Sequence, residues 1–181
     1  MLPRIVEEIW EKYGLEKSVR EHCKKVAEFA MKIVEKAEKN GVKVDKEAVL
    51  LGALLHDIGR ALTHDPFEHF LKSAEILKKE EVDEKIVRIA ERHFSAGMTA
   101  EEAKKLGLPE KNYVPVTLEE KIVSFADNLV FGSEIRDFKS FLERLERIDS
   151  ANPELRWFTE KTRERAKKMK EEIEALTGMK F

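Results

Sequence analysis

The fold is decided by the stretch Leu50-Leu51-Gly52-Ala53-Leu54-Leu55-His56-Asp57-Ile58-Gly59-Arg60, in which an apolar run ends in a histidine and an aspartate. This pattern predicts a buried helix whose end presents an imidazole and a carboxylate side by side. Burying two such groups is costly unless each finds a partner. A metal ion is the simplest partner for both, because adjacent helix residues point about 100° apart and can both reach an ion lying between them.

Length and composition limit the class of protein. The chain has 181 residues, which is enough for a single domain with its own core, and 39% of the residues are charged. The net charge of −2 provides no basic field for a nucleic acid polymer. No apolar run approaches the roughly 20 residues that span a bilayer, and the first residues lack a signal-peptide pattern. Cys23 has no intrachain disulfide partner, so we expect a cytoplasmic protein that contacts no membrane.

Apolar residues recur at helical spacing along nearly the whole chain, and no segment alternates as a strand of useful length would. The pattern therefore predicts an all-α protein. In the second helix, His22 lies beside the apolar stripe, where a histidine is more often a satisfied core residue than a metal ligand. The helices predicted for the first half cover residues 3–13, 16–40, the stretch after the cap Asp45, 67–79 and 83–94.

The second half contains two capping-box sequences, which begin at Thr99 and Thr117. The helix that follows Thr117 is mostly apolar but contains Asp127, and an aspartate in such a place needs a partner. Beyond Gly132 two more highly charged helices are predicted, and Asn152-Pro153 is the predicted cap of the last one. These two helices carry no catalytic pattern, so we expect them to serve packing or a contact in a homodimer.

Four polar residues on three otherwise apolar helices form an ordered set: His22, the pair His56-Asp57, and Asp127. The set resembles the HD superfamily of metal-dependent phosphohydrolases, whose pattern is a His, a later His-Asp and a later Asp. The most specific parts are residues 54–60 and 122–127. The loop from 107 to 121 is similar to that of an uncharacterised archaeal group within the family.

The resemblance implies an HD-domain-like helical bundle with two additional C-terminal helices. We expect one domain over residues 1–181, with an HD core at about 15–133 and a C-terminal helical extension at about 134–181. Two imidazoles and two carboxylates suit Mn²⁺, Fe²⁺, Co²⁺, Ni²⁺ or Zn²⁺, and Mg²⁺ is also compatible. We expect one tightly bound ion. The ligands that the resemblance implies are His22, His56, Asp57 and Asp127.

The implied activity is that of a phosphatase, phosphodiesterase or dinucleoside-polyphosphate hydrolase acting on a small phosphate ester or anhydride, with a nucleotide as the expected substrate. Metal-bound water would attack phosphorus, with Asp57 as a catalytic ligand. Arg60 is the candidate for binding phosphate, because its planar fork suits that group; a solvated loop charge is the alternative. Glu91 is a candidate general base or orienting residue. Lys121 and Arg92 are weaker candidates for substrate binding.

A second metal has less support in the sequence. His69 lies four residues before Ser73 and matches a family His-x₃-Gly pattern, with serine in place of glycine. His93 matches the first residue of a family His-His pair, but Phe94 occupies the second position. We therefore expect His69 and His93 to line the pocket and to bind substrate phosphate or a weaker second ion. His64 matches no family position and is predicted to be an ordinary loop residue.

Two alternatives to hydrolysis stay open. One is a di-iron oxygenase, since a few HD-type proteins use two irons and O₂, although Phe94 replaces a histidine that would favour such a site. The other is a non-catalytic ligand-sensing module, in which the metal stabilises the fold and the C-terminal helices form the working surface. Oxygen uptake would identify the first alternative, and metal retained without turnover would support the second.

Overall fold

The computed structural model describes the whole chain, Met1–Phe181, and it is helical apart from one short β-hairpin. This confirms the predicted all-α fold class. None of the helices combines the length and the apolar character needed to cross a bilayer. The α-helices are α1 (Arg4–Tyr13), α2 (Lys17–Lys39), α3 (Lys46–Leu55), α4 (His69–Lys79), α5 (Glu84–Glu91), α6 (Ala100–Lys105), α7 (Leu118–Leu129), α8 (Phe138–Ala151) and α9 (Arg156–Thr177).

Helix α3 lies at the centre of the fold. Asp45 caps it as predicted, since its carboxylate accepts a hydrogen bond from the Ala48 N–H at 3.0 Å. Most of the helix is buried, and it packs against α2, α5 and α7. The Trp10 indole donates to the Leu54 carbonyl oxygen at 3.1 Å and so fixes α1 against it. Because α3 ends at Leu55, the next two residues of the chain lie at the end of a buried helix.

The turn after α3 brings α4 into close contact. A 3₁₀ turn covers Ile58–Ala61. A Cβ atom on Gly59 would lie 2.0 Å from the His69 carbonyl oxygen, so a larger residue would push α4 away. The Gly59 N–H donates to Ser73 Oγ at 2.8 Å, which gives the serine a structural use where the family pattern has glycine. These contacts hold the N-terminus of α4 beside the end of α3.

The structure differs from the predicted helices on both sides of the site. Helix α5 ends at Glu91, so His93 lies in the loop that follows rather than in the helix. Strands β1 (Val130–Phe131) and β2 (Glu134–Ile135) pair antiparallel where the apolar stripe of the next helix was predicted to begin. The chain reverses at Gly132, whose φ of 61° suits glycine, and α8 begins only after the hairpin.

Two predicted caps are incomplete. The Thr117 hydroxyl accepts from the Glu120 N–H at 3.2 Å, but the Glu120 carboxylate accepts from the Val116 N–H and the Thr117 hydroxyl rather than from the Thr117 backbone N–H. The Asn152 side chain makes no capping hydrogen bond, and a 3₁₀ turn, Pro153–Leu155, precedes α9. The Thr99 capping box is complete. The Asn152 side-chain amide instead donates to the Ile148 carbonyl oxygen at 3.5 Å.

The C-terminal extension packs directly on the part of the chain that carries the site. Helix α9 contacts α2 and α7, while α8 contacts α7 and α9. Arg163 donates to Asp149 at 2.6 Å and joins the two helices. Arg165 donates to the Gly97 carbonyl oxygen at 2.9 Å. The extension is therefore held against the loop that follows α5.

Candidate metal centre

Four side chains from three helices meet at the end of α3. His22 comes from α2, His56 and Asp57 follow α3, and Asp127 comes from α7. The Nε2 atoms of His22 and His56 lie 2.8 and 3.2 Å from Asp127 Oδ1. The same two atoms lie 3.7 and 3.5 Å from Asp57 Oδ2. The four residues that the sequence singled out thus present ligand atoms that all lie within 4.8 Å of one another.

The histidines of the site share one arrangement of their ring nitrogens. In each ring Nδ1 faces a backbone carbonyl oxygen, which can only accept a hydrogen bond, so Nδ1 carries the proton. The neutral ring then directs the lone pair of Nε2 into the site, as in metal-binding histidines. The Nδ1 contacts are His22 to Gly132 at 2.6 Å, His56 to Ala53 at 2.6 Å, His93 to Ala90 at 2.6 Å and His69 to Asp65 at 3.3 Å.

A second group of ligand atoms lies on the other side of Asp57. Its Oδ1 atom is 3.3 Å from Nε2 of both His69 and His93, and these two nitrogens are 3.0 Å apart. Phe94 adds no ligand here, because its ring stacks on Phe70 with centroids 5.5 Å apart. The structure therefore assembles a three-residue group in spite of the missing second histidine.

The chemistry of these atoms fits cations. Asp57 Oδ1 is buried and has no hydrogen-bond partner, which is costly for a carboxylate oxygen. The lone pairs of His69 and His93 face each other across 3.0 Å, a repulsive arrangement unless a proton or a cation lies between them. Asp57 presents Oδ2 to the first group and Oδ1 to the second, so its carboxylate is placed to bridge two ions.

The two carboxylates of the first group stay ionised in spite of their burial. Burial raises the pKa of Asp57, but the charge of His56 and two further imidazoles hold that pKa well below its ordinary value. The pKa of Asp127 is also held well below its ordinary value, since His56 and His22 outweigh its burial. Burial lowers the pKa of His56, but Asp57 and other neighbours raise it well above normal. Protons on these rings balance the carboxylates when no cation does.

A cavity of about 730 Å³ opens above the first group of ligands. The side chains of His22 and Asp127 are 17% and 18% exposed, so a small molecule can reach them. Arg60 lines the same cavity, and its Nε atom lies 3.3 Å from Asp57 Oδ2. His64 also lines it, but its Nε2 atom faces the exposed carboxylate of Glu16 at 3.2 Å. Of these two loop residues, only Arg60 touches a metal-site carboxylate.

Apart from the buried ligand His56, four predicted site residues do not line the cavity: Glu91, Arg92, His93 and Lys121. The Glu91 carboxylate accepts from Lys111 Nζ at 2.8 and 3.0 Å, so its charge is already paired. Lys121 donates to Glu172 of α9 at 3.0 and 3.2 Å. Arg92, the other weaker candidate, is held by Glu120 at 2.7 Å. Each of these three residues is paired with a residue that also lies outside the cavity lining, and the roles that the sequence suggested for them stay predictions.

No pattern in the sequence predicted the wall of the cavity that lies apart from the metal ligands. Part of this wall comes from the C-terminal extension, for which we expected only packing or oligomer contacts. Arg144 of α8 lines the cavity with its guanidinium 5.0 Å from the Phe131 ring centroid. Apolar residues at helical spacing look the same whether they face a core or a cavity, so no pattern separates the two. The apolar lining residues are Phe67, Phe94, Phe141, Leu145, Ile148, Leu155 and Phe158, together with Val19, Pro66 and Val130.

Comparison with known proteins agrees with this geometry. A family model described as HD domain matches residues 19–132, which include all four ligands of the first group. The chain belongs to the HD family. Membership confirms the resemblance seen in the sequence and supports metal-dependent hydrolytic chemistry. It does not identify the metal or the substrate.

Several curated proteins are similar to the chain. It is 47% identical over 140 residues to an uncharacterised protein of Methanocaldococcus jannaschii, covering 77% of this chain and 82% of that protein. It is 43% identical over 157 residues to a tRNA (cytidine(56)-2'-O)-methyltransferase of Picrophilus torridus, and 45% identical over 123 residues to one of Thermoplasma volcanium. These matches cover 87% and 68% of this chain but only 42% and 35% of the methyltransferases. Most of each methyltransferase thus lies outside the shared stretch.

Solved structures agree at the level of the fold. The HD domain of the L. monocytogenes phosphodiesterase PgpH, in complex with cyclic-di-AMP, matches with a TM-score of 0.52. The match covers 98% of each chain at 19% sequence identity. A second structure of the PgpH HD domain matches with a TM-score of 0.51. The helical architecture is therefore shared over nearly the whole chain, including the extension.

Proposed function

We propose that the protein is a metal-dependent phosphohydrolase that acts on a small phosphate ester or anhydride, and that its substrate is a nucleotide. The observation that carries the proposal is the convergence of His22, His56, Asp57 and Asp127 beneath a cavity that a small molecule can enter. Family membership supports the reaction class, since this ligand set is the one by which the HD pattern is recognised.

In this proposal the two groups of ligands differ in strength. His22, His56, Asp57 and Asp127 would hold one divalent ion tightly. Asp57 would share its second oxygen with His69 and His93, which would hold another ion more weakly because only three side chains contribute. Divalent ions acidify bound water and withdraw charge from a phosphoryl group. The carbonyl contacts of the four rings keep every Nε2 directed inward, so the ligands are positioned before an ion arrives.

Arg60 is proposed to bind the phosphate. Its guanidinium lines the cavity beside Asp57 Oδ2 and is 27% exposed, so it faces both the ligands and the space above them. A guanidinium can donate two parallel hydrogen bonds to phosphate oxygens. A cation at the site would compete with Arg60 for Asp57 and would leave the arginine available to the substrate.

Nucleotides are the proposed substrates for two reasons. The cavity of about 730 Å³ falls within the size range of small-molecule sites, about 300–1,000 Å³. The structurally similar PgpH domain is described in complex with cyclic-di-AMP. Phosphomonoesters, cyclic diesters and dinucleoside polyphosphates all belong in a first screen.

The test is reconstitution of metal-free protein with each of Mn²⁺, Fe²⁺, Co²⁺, Ni²⁺, Zn²⁺ and Mg²⁺, followed by measurement of phosphate release or diester cleavage. We expect turnover of at least one nucleotide with at least one ion, and none with Asp127→Ala. Oxygen uptake without hydrolysis would favour the oxygenase alternative. Tightly bound metal with neither activity would favour the non-catalytic module and would overturn the proposal.

A further inference from the structure

The cavity has two chemically different ends. At one end lie the ligand atoms and Arg60, which suit a phosphoryl group. At the other, the lining includes apolar and aromatic side chains, many of them from the C-terminal extension, beside the polar Arg144, Asn152 and Thr159. Inorganic polyphosphate has no apolar surface and a phosphorylated sugar has little, so either would leave most of these side chains uncovered. The surface fits a substrate with a flat, weakly polar group attached to its phosphate.

The Phe67 ring is one of the partly accessible side chains of this surface. It is half-buried, in contrast to Phe158, which is 4% exposed. The ring makes edge-to-face contacts with two others. Its centroid lies 5.4 Å from that of Phe94 and 5.7 Å from that of Phe158, and the angle between the planes of Phe67 and Phe158 is 63°. Two packed neighbours fix the orientation of the ring, so a molecule that stacks on it would not have to order a mobile side chain.

The aromatic surface also lies next to the metal ligands. The His69 and Phe94 ring centroids are 5.5 Å apart, so the surface begins one ring away from the second group of ligands. Phe158 belongs to α9 and packs on Phe94 with centroids 6.1 Å apart. The extension thus packs against the Phe94 ring through Phe158. Leu145 and Ile148 of α8 add apolar lining to the same cavity.

We propose that the aromatic end of the cavity is a nucleobase-binding subsite, in which the base of the substrate stacks on Phe67 while its phosphate lies at the metal ligands. The inference rests on the proposed function and assigns the part of the cavity that would recognise the base of the nucleotide. Arg60, together with a cation held by the ligand set, would provide the charge complementarity to phosphate at one end, and the rings provide the stacking surface at the other. Every base has a π-face, so this subsite would favour bases as a class over non-aromatic groups.

The test compares molecules that differ only in the base. Adenosine and uridine carry no phosphate and cannot be turned over by a phosphohydrolase, so their binding is independent of the proposed reaction. We expect calorimetry on the full-length metal-loaded protein to show both nucleosides binding about tenfold or more tightly than ribose, since stacking of a base on an aromatic ring has about that value. Among substrates, adenosine 5′-monophosphate should exceed ribose 5-phosphate in kcat/KM by a similar factor.

Phe67→Leu is the decisive variant, because it keeps most of the apolar volume and removes the π-face. It should reduce the preference for nucleosides over ribose to about twofold or less, and Phe67→Ala should do the same. Leu62→Ala is the matched control, since Leu62 is 57% exposed in the same loop and does not line the cavity. It should leave the preference intact. Thermal melting and metal content of each variant identify any that has failed to fold.

The outcomes separate the two proposals. Nucleoside binding that depends on Phe67, with no hydrolysis of any phosphate, would support the subsite and overturn the proposed reaction. Hydrolysis with equal kcat/KM for adenosine 5′-monophosphate and ribose 5-phosphate would overturn the subsite alone. A nucleoside preference that persists in Phe67→Leu would also overturn it.

Discussion

The floor of the cavity and its wall are built in different ways. The floor consists of His22, His56, Asp57 and Asp127, whose side chains are largely buried and whose rings are fixed by backbone carbonyls. The wall consists of the aromatic side chains of Phe67 and Phe94 and the apolar side chains of the extension, and Arg144 adds a positive charge to it. In the proposed function, bond-making chemistry and substrate selection would therefore lie on separate parts of the chain. Changes in the floor should affect every substrate alike, whereas changes in the wall should affect some substrates more than others.

The largest effect is expected from Asp57→Ala, which removes a carboxylate shared by both groups of ligands. We expect turnover of all substrates to fall by about 10³-fold or more, because metal-ion stabilisation contributes several kcal/mol. Metal content measured on the purified protein should fall with it. Undiminished metal would show that the ligand assignment is wrong. Loss of activity toward one substrate only would break the separation between floor and wall.

Metal binding should also depend on pH. Asp127 outweighs burial and raises the pKa of His22, and Asp57 raises that of His56 well above its ordinary value of about 6.5. Because a proton on Nε2 must leave before a metal binds, affinity should rise with pH until it passes these raised pKa values. The expected slope is up to about tenfold per pH unit for each proton released. Competition with a chelator measures this slope, and an affinity independent of pH would contradict the assignment of His22 and His56 as metal ligands.

Arg60→Ala separates metal binding from substrate binding within the cavity. We expect KM to rise about 10–100-fold, since a hydrogen bond to a charged group contributes about 1.5–3 kcal/mol, while bound metal stays at the wild-type level. His64→Ala is the matched control from the same loop, and it should change KM by less than about twofold because its exposed contact with Glu16 contributes little. Loss of metal in Arg60→Ala would show that the arginine supports metal binding rather than substrate binding.

A smaller effect is expected from Arg144→Ala in the wall. Its guanidinium lines the cavity, rests on the Phe131 ring, and is exposed to solvent. We expect KM for a nucleoside triphosphate to rise by about two- to fivefold at low salt and the effect to fade as salt is added. Arg147→Ala, on the same helix but outside this cavity, is the control. An equal effect of both variants would mean that α8 acts only through its overall charge.

The sequence was informative about the floor for a physical reason. Polar residues in apolar helices are costly, so His22, the His56-Asp57 pair and Asp127 stood out even though they are distant along the chain. The capping residue Asp45 and the helix it opens were predictable because the backbone rules that govern them are local.

The wall could not be predicted because its residues are ordinary ones. Leu145 and Phe158 fit a helical stripe equally well whether they face a core or a cavity. Phe94 marked a missing ligand in the sequence, but only the structure shows that its ring belongs to the aromatic surface. The pairing of Glu91 with Lys111 could not be predicted either, because the two residues are 20 positions apart and no sequence pattern links them.

The central claim is that four distant side chains form one metal site, and anomalous diffraction tests it most directly. Crystals soaked in Mn²⁺ would be measured at a wavelength where manganese scatters anomalously. A strong peak enclosed by His22, His56, Asp57 and Asp127, with a weaker one or none between His69 and His93, is the predicted result. A protein that binds Mn²⁺ but shows its main peak elsewhere would contradict it.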